Sequence, residues 1–237
     1  MKTNHSMRRG FTLVELLVVI VIIAALAGLT APMVIRQRKK ADQTEAVSNA
    51  RQIGLAMFEF ENEYGSFPEA GLGATINGNT GTTLAPTTIT TANDAFRQLL
   101  AAGIAQGETM FFCKTAYSTA KPDNIFNSDT TALKKGEVGY GYIMNGITAF
   151  STAGNPGRAL LATPLKYAGT FTAGEFDKEI YDSKAVVLKI DNSVTSLAIN
   201  NLNKAVLGGG KTLLDGNSAD TIWGAGVTPV IVDPDPK

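Results

Sequence analysis

Cysteine and histidine are almost missing from this 237-residue chain. Cys113 is the one cysteine, so no disulfide can form within the chain and the fold must hold by packing. The one histidine, His5, lies in a short basic stretch at the start, and beyond residue 10 there is none. That composition excludes internal Ser-His-Asp and Cys-His catalytic systems. It also excludes a histidine-ligated zinc. Paired carboxylates are conceivable, but no spacing singles out a pair. Net charge is also lacking, with 21 basic and 21 acidic residues. Without the first ten positions, which hold Lys2, Arg8 and Arg9, 18 basic residues face 21 acidic ones, a net of −3. Such a chain has no basic field for nucleic acid. With 44% hydrophobic and 18% charged residues it is neither disordered nor a multi-span membrane protein.

What is present is one long apolar run. Residues 1–10 are polar and basic, and from Leu13 to Ile35 only Glu15, Thr30 and Pro32 interrupt the hydrophobic sequence. As a helix this run is about 35 Å long and crosses a hydrocarbon layer of about 30 Å. A basic segment before an apolar one is the layout of a signal peptide. The small residue here, Gly10, precedes the apolar run instead of following it, so a cut at that glycine keeps the span in the product. Arg36, Arg38, Lys39 and Lys40 follow the span, so positive charge at both flanks does not fix its orientation. Glu15 is the anomaly. A carboxylate at membrane depth costs about 2.5–3.5 kcal/mol unless a partner offsets it.

The residues Arg9-Gly10-Phe11-Thr12-Leu13-Val14-Glu15 resemble the processing site of type IV prepilins and type II secretion pseudopilins. The resemblance implies that a prepilin peptidase cuts between Gly10 and Phe11 and N-methylates Phe11. It implies that Glu15 faces the amine of Phe11 on a neighbouring copy, which compensates both charges and fixes the axial register. Pro32 lies where many pilins have a helix-bending proline. With Gly28 it marks the weak part of the helix, where a kink is expected. The implied partners are other copies of the chain, related pseudopilins, the peptidase, the membrane, and an inner-membrane assembly platform with its ATPase. The leader would then lie in the cytoplasm and the globular part in the periplasm.

The helix continues beyond the span. Ala46, Ala50, Ile53, Met57, Phe60 and Tyr64 recur at three- and four-residue intervals and form one apolar stripe. Gly65 and Pro68 end it. A helix from Phe11 to Tyr64 is about 80 Å long. Ile53–Glu69 also resembles the end of the first helix in G-type major pseudopilins. The domain reading is a leader at 1–10, a transmembrane and polymerisation helix at 11–35, its amphipathic continuation at 36–64, and a globular domain at 65–237. Residues 70–91, rich in Gly and Thr, read as a long loop. Asn93-Asp94 opens a short helix closed by Gly103. Met110–Phe112 reads as a buried strand, and Cys113 as a small, partly buried residue. Residues 138–145 read as a strand, and 185–199 as a hairpin turning at Asp191-Asn192-Ser193. The expected fold class is α+β and pilin-like, with the long helix packed on a small antiparallel sheet.

The last third reads as loop-rich. Gly208–Thr212 (GGGKT) imitates the end of a phosphate-binding loop, but Ala205 stands where the pattern needs glycine. No motif requires a cofactor. The G-type resemblance brings in calcium, and Asp215, Asn217 and Asp220 are the candidate oxygen donors. The same residues read more simply as a turn, since they offer few of the six to eight oxygens calcium takes. The functional expectation is a non-enzymatic subunit of a type II secretion pseudopilus. A major or minor type IV pilus subunit is the alternative, and a membrane-anchored binding module that never polymerises is the third reading. The missing C-terminal cysteine pair and the Ile53–Glu69 match favour the pseudopilus.

Overall fold

The computed structural model describes residues 11–167, 169–216 and 219–235. The expected leader at 1–10 lies outside them. The chain divides into two compact units at Lys39/Lys40.

In the first unit the described backbone is helical from Leu13, the start of α1 (Leu13–Tyr64). It continues through Gly28 and Pro32. Pro32 has no amide to give the carbonyl of Gly28. Two residues earlier, Thr30 Oγ1 donates to the carbonyls of Leu26 (3.0 Å) and Ala27 (3.3 Å). An added Cβ at Gly28 meets nothing within 4 Å, so nothing in the described chain demands glycine there.

The second unit contains the rest of α1. Its stripe is buried as the spacing requires: Ala46, Ala50, Ile53, Met57 and Phe60 lie in the core, and Tyr64 packs at its edge. The globular unit thus takes in Lys40–Tyr64 together with 65–237. Gly65 closes the helix with φ +87°, and its amide donates to Glu61 O at 2.7 Å.

Among the described residues seven strands follow: β1 (Gly141–Asn145), β2 (Ala159–Thr163), β3 (Leu165–Tyr167), β4 (Glu175–Phe176), β5 (Lys184–Lys189), β6 (Val194–Ala198) and β7 (Pro229–Val232). Five of them form an antiparallel sheet in the order β6-β5-β2-β1-β7, while β3 and β4 pair separately. The fold is therefore α+β and pilin-like, a long N-terminal helix with a small antiparallel sheet. The β5–β6 hairpin turns at Asp191–Ser193 as the sequence predicts, with Asn192 at φ +61°.

Six local expectations change. Within 70–91, Ala70–Leu72 is a 3-10 turn and Gly73–Thr80 is helix α2. Its sequence, GATINGNT, has poor helix propensity, and tertiary contacts override that. Asn77 bonds both the amide (2.9 Å) and the carbonyl (2.8 Å) of Ala85. A Cβ on Gly73 would lie 2.1 Å from Pro86 O, so only glycine permits this approach. Helix α3 (Ala92–Ala101) starts one residue early, capped by Thr91 in a reciprocal capping box with Asp94. The predicted strand at Met110–Phe112 is a 3-10 turn over Thr109–Phe111. Its Phe111 ring stacks on Phe96 at 4.9 Å, a contact that periodicity cannot foresee. In the segment 138–145 only Gly141–Asn145 is strand, while β7 adds order to the region read as loops. Cys113 is fully buried, not partly.

Candidate functional site

Every side chain from Phe11 to Ile35 is exposed, Phe11 itself at 79%. α1 contains the one stretch among the described residues long and apolar enough to cross a membrane. Exposing it to water would cost about 25 cal/mol for each Å² of apolar surface, so it must be covered by lipid or by other helices.

Glu15 sits in the first turn of that helix, where the amides left free by the helix start favour an acid. Thr12 N donates to Glu15 Oε2 at 2.8 Å, and Thr12 Oγ1 donates to the same oxygen at 2.7 Å. In return Glu15 N donates to Thr12 Oγ1 at 3.3 Å. This is a capping box, Thr12-Leu13-Val14-Glu15, in which each side chain satisfies the other's backbone. Part of the cost of the carboxylate is thus offset within the chain. Both Thr12 donors converge on Oε2, and among the described residues no hydrogen bond reaches Oε1. The arrangement leaves one carboxylate oxygen, with its lone pairs, for an outside cation. Thr12 is the residue that the sequence reading passed over. Its signal was legible, since Thr-x-x-Glu at the edge of an apolar run is the capping signature.

Gly10 lies outside the described residues. Phe11 is the first described residue, precedes the helix by two positions and is exposed just ahead of the Thr12 cap.

Residues 5–31 match the prokaryotic N-terminal methylation motif. The chain is also similar to type II secretion system core protein G of several bacteria. It is 42% identical to that of Dickeya chrysanthemi over 71 residues, 29% of this chain and 46% of the relative. It is 43% identical to that of Aeromonas hydrophila over 70 residues, 29% and 49% of the two chains. With that of Escherichia coli K12 it shares 39% over 75 residues, 31% and 52%. The chain spans about half the length of the curated relatives it matches. No solved structure matches it. The motif and these relatives support the resemblance to type IV prepilins and pseudopilins that Gly10, Phe11 and Glu15 carry, and to G-type pseudopilins that Ile53–Glu69 carries.

Two of the three candidate calcium donors, Asp215 and Asp220, lie among the described residues. Asn217 lies outside the described residues. Asp215 accepts from Thr212 N (2.6 Å) with one oxygen and from Thr212 Oγ1 (2.7 Å) with the other. Asp220 pairs with Lys211 Nζ at 2.5 Å. The two described carboxylates are engaged by donors, and among the described residues no three His, Cys, Asp or Glu side chains converge on a metal position. Lys211, the lysine of the phosphate-loop lookalike, is the partner of Asp220, and it follows a glycine turn instead of opening a helix.

Proposed function

We infer that this chain is a structural subunit of a type II secretion pseudopilus. In this reading a prepilin peptidase removes residues 1–10 and methylates Phe11. The helix from Phe11 then holds the subunit in the inner membrane, with the leader on the cytoplasmic side and the globular unit in the periplasm. Assembly packs Leu13–Leu29 of neighbouring copies together, which covers the exposed apolar surface. The Phe11 amine of one copy enters against Glu15 of the next, and any other stagger leaves both charges buried and unpaired. Related pseudopilins, an assembly platform and its ATPase are the partners this requires.

The observation that carries the reading is the Thr12–Glu15 capping box at the head of a fully exposed apolar helix, directly after the Gly10-Phe11 bond. A membrane anchor alone explains the helix. It does not explain a carboxylate held ready inside the first turn.

Mass-spectrometric sequencing of the N-terminus, on protein taken from its native host, tests the reading. N-methyl-Phe11 is expected. An intact Met1, or a cut after the apolar run, would overturn it. Deleting the gene should then leave exported proteins in the periplasm. Loss of surface fibres with export intact would instead identify a type IV pilus subunit.

A further inference from the structure

Within the second unit, α1 buries the stripe from Ala46 to Phe60 and leaves its other side exposed, with Lys40, Glu45, Arg51, Leu55 and Glu59 on it. Leu55, 59% exposed, forms the ridge of that side. The charges are sorted about the ridge. At 3.6 residues per turn, Lys40 and Arg51 point about 20° apart on one flank, and Glu45 and Glu59 about 40° apart on the other. Roughly 110° separates the two directions. The exposed side of α1 thus has a basic flank and an acidic flank.

These charges are not used inside the chain. Among the described residues none of the four side chains has a hydrogen bond or an ion pair. A helix gains from opposite charges three or four residues apart. Here the charged neighbours at that spacing are alike: Arg36 stands four residues before Lys40, and Glu63 four after Glu59. Lys40 and Glu45 are five residues apart, and Arg51 and Glu59 eight, so neither pair meets on the helix surface. Nothing within the helix offsets the repulsion of the like pairs.

We propose that this side of α1 is an interface between copies of the chain, in which the basic flank of one copy meets the acidic flank of the next. The inference rests on the parallel packing of copies given under the proposed function. Because the two flanks differ, the contact is head-to-tail: each copy offers its bases to one neighbour and its acids to another. The spacing also sets an axial shift. Moving one copy by about six residues, ~9 Å, brings its Lys40 level with Glu45 of the next and its Arg51 level with Glu59, within about two residues. In both pairs the base has the lower number, as the Phe11 amine has in its pairing with Glu15. A shift the other way offers one pair only, Arg51 with Glu45. A head-to-tail contact with an axial shift does not close into a ring, so it propagates as a helical filament. Exposed pairs of this kind choose the neighbour and the register more than they supply cohesion.

The test is a charge exchange in the native host, read by the yield of sheared fibres, with the mature N-terminus sequenced by mass spectrometry. Arg51→Glu sets an acid against Glu59 of the next copy and should lower the yield about tenfold. Arg51→Glu combined with Glu59→Arg restores opposite charges between copies and should recover most of the yield. The two positions are about 12 Å apart along one helix, so the recovery cannot come from a pair within one chain. In a second measurement, Arg51→Cys combined with Glu59→Cys should give a ladder of disulfide-joined copies when the cells are oxidised with copper phenanthroline. Neither single cysteine variant should do so, and the buried Cys113 adds no background. Wild-type yield from Arg51→Glu would overturn the proposal. So would a double exchange that assembles no better than the single one, which would mean that this side meets a different chain. A single-cysteine ladder as strong as that of the pair would overturn the shift and the proposal with it. Each of these failures leaves N-methyl-Phe11 in place and the proposed function standing, whereas an intact Met1 would overturn both.

Discussion

Gly54 of α1 stands directly under Asn192, the residue at the tip of the β5–β6 hairpin. A Cβ on Gly54 would lie 2.1 Å from Asn192 Oδ1, 3.1 Å from its Cγ and 3.2 Å from Leu188 Cδ1. The helix can approach the hairpin this closely only where it has no side chain. Gly54 is buried between Ile53 and Ala56, and the usual cost of glycine within a helix is accepted there for the sake of the contact.

Gly54→Ala is therefore expected to destabilise the globular unit by about 1–2 kcal/mol through overpacking, although alanine is the better helix former. Asn192 has φ +61°, which glycine adopts freely. Asn192→Gly in the Gly54→Ala background should recover most of the loss by removing the atom that clashes. Thermal unfolding of the full chain in detergent measures both. A Gly54→Ala protein as stable as wild type would mean that the hairpin tip yields without cost.

Thr12→Val should remove the hydroxyl that both donates to Glu15 and caps its amide, while keeping the shape of the side chain. The helix start should lose about 1 kcal/mol. The Glu15 carboxylate should lose one of its two donors. On the proposed function, processing at Gly10-Phe11 should continue while assembly falls, and Thr12→Ser should restore it. Shear fractionation of the host cells, with the mature N-terminus checked by mass spectrometry, separates the two effects.

Cys113 should be unreactive in the folded protein. Its Sγ lies 3.3 Å from Thr163 Oγ1 inside the core, and burial pushes the thiol up to about 11. At pH 8 almost none of it is thiolate, and reagents cannot reach it. Alkylation by iodoacetamide should be negligible until denaturant is added. The same shift predicts an alkaline weakness. The unfolded thiol ionises near 9, so stability is complete below that and falls as pH rises towards about 11. Tyr140 and Tyr142, raised by burial too, add to the loss in the same direction. The unfolding temperature should drop steeply between pH 9 and pH 11.

Calcium at millimolar concentration should leave the unfolding temperature unchanged. Thr212 already holds both carboxylate oxygens of Asp215, and Lys211 pairs with Asp220 Oδ2. A calcium-dependent rise that Asp215→Asn removes would show that the ion rebuilds this loop.

Some of this was fixed by short-range pattern alone. The stripe from Ala46 to Phe60 went to the core because a 3.6-residue period leaves those side chains one direction in which to face. The Gly10-Phe11-Glu15 site and the apolar run could be read from order and composition, and so could the hairpin at Asp191–Ser193. Tertiary structure decided what depends on partners distant in sequence. α2 forms from a poor helix sequence because Asn77 and Gly73 meet Ala85 and Pro86. β7 finds β1 across more than eighty residues. That Glu108 accepts from Leu133 N and Glu137 from Lys134 N has no local signature, because the turn at Leu133 is itself held by Asn93 and Arg97. Periodicity reports which side of an element is apolar. Which distant side chains it meets is set by the packing.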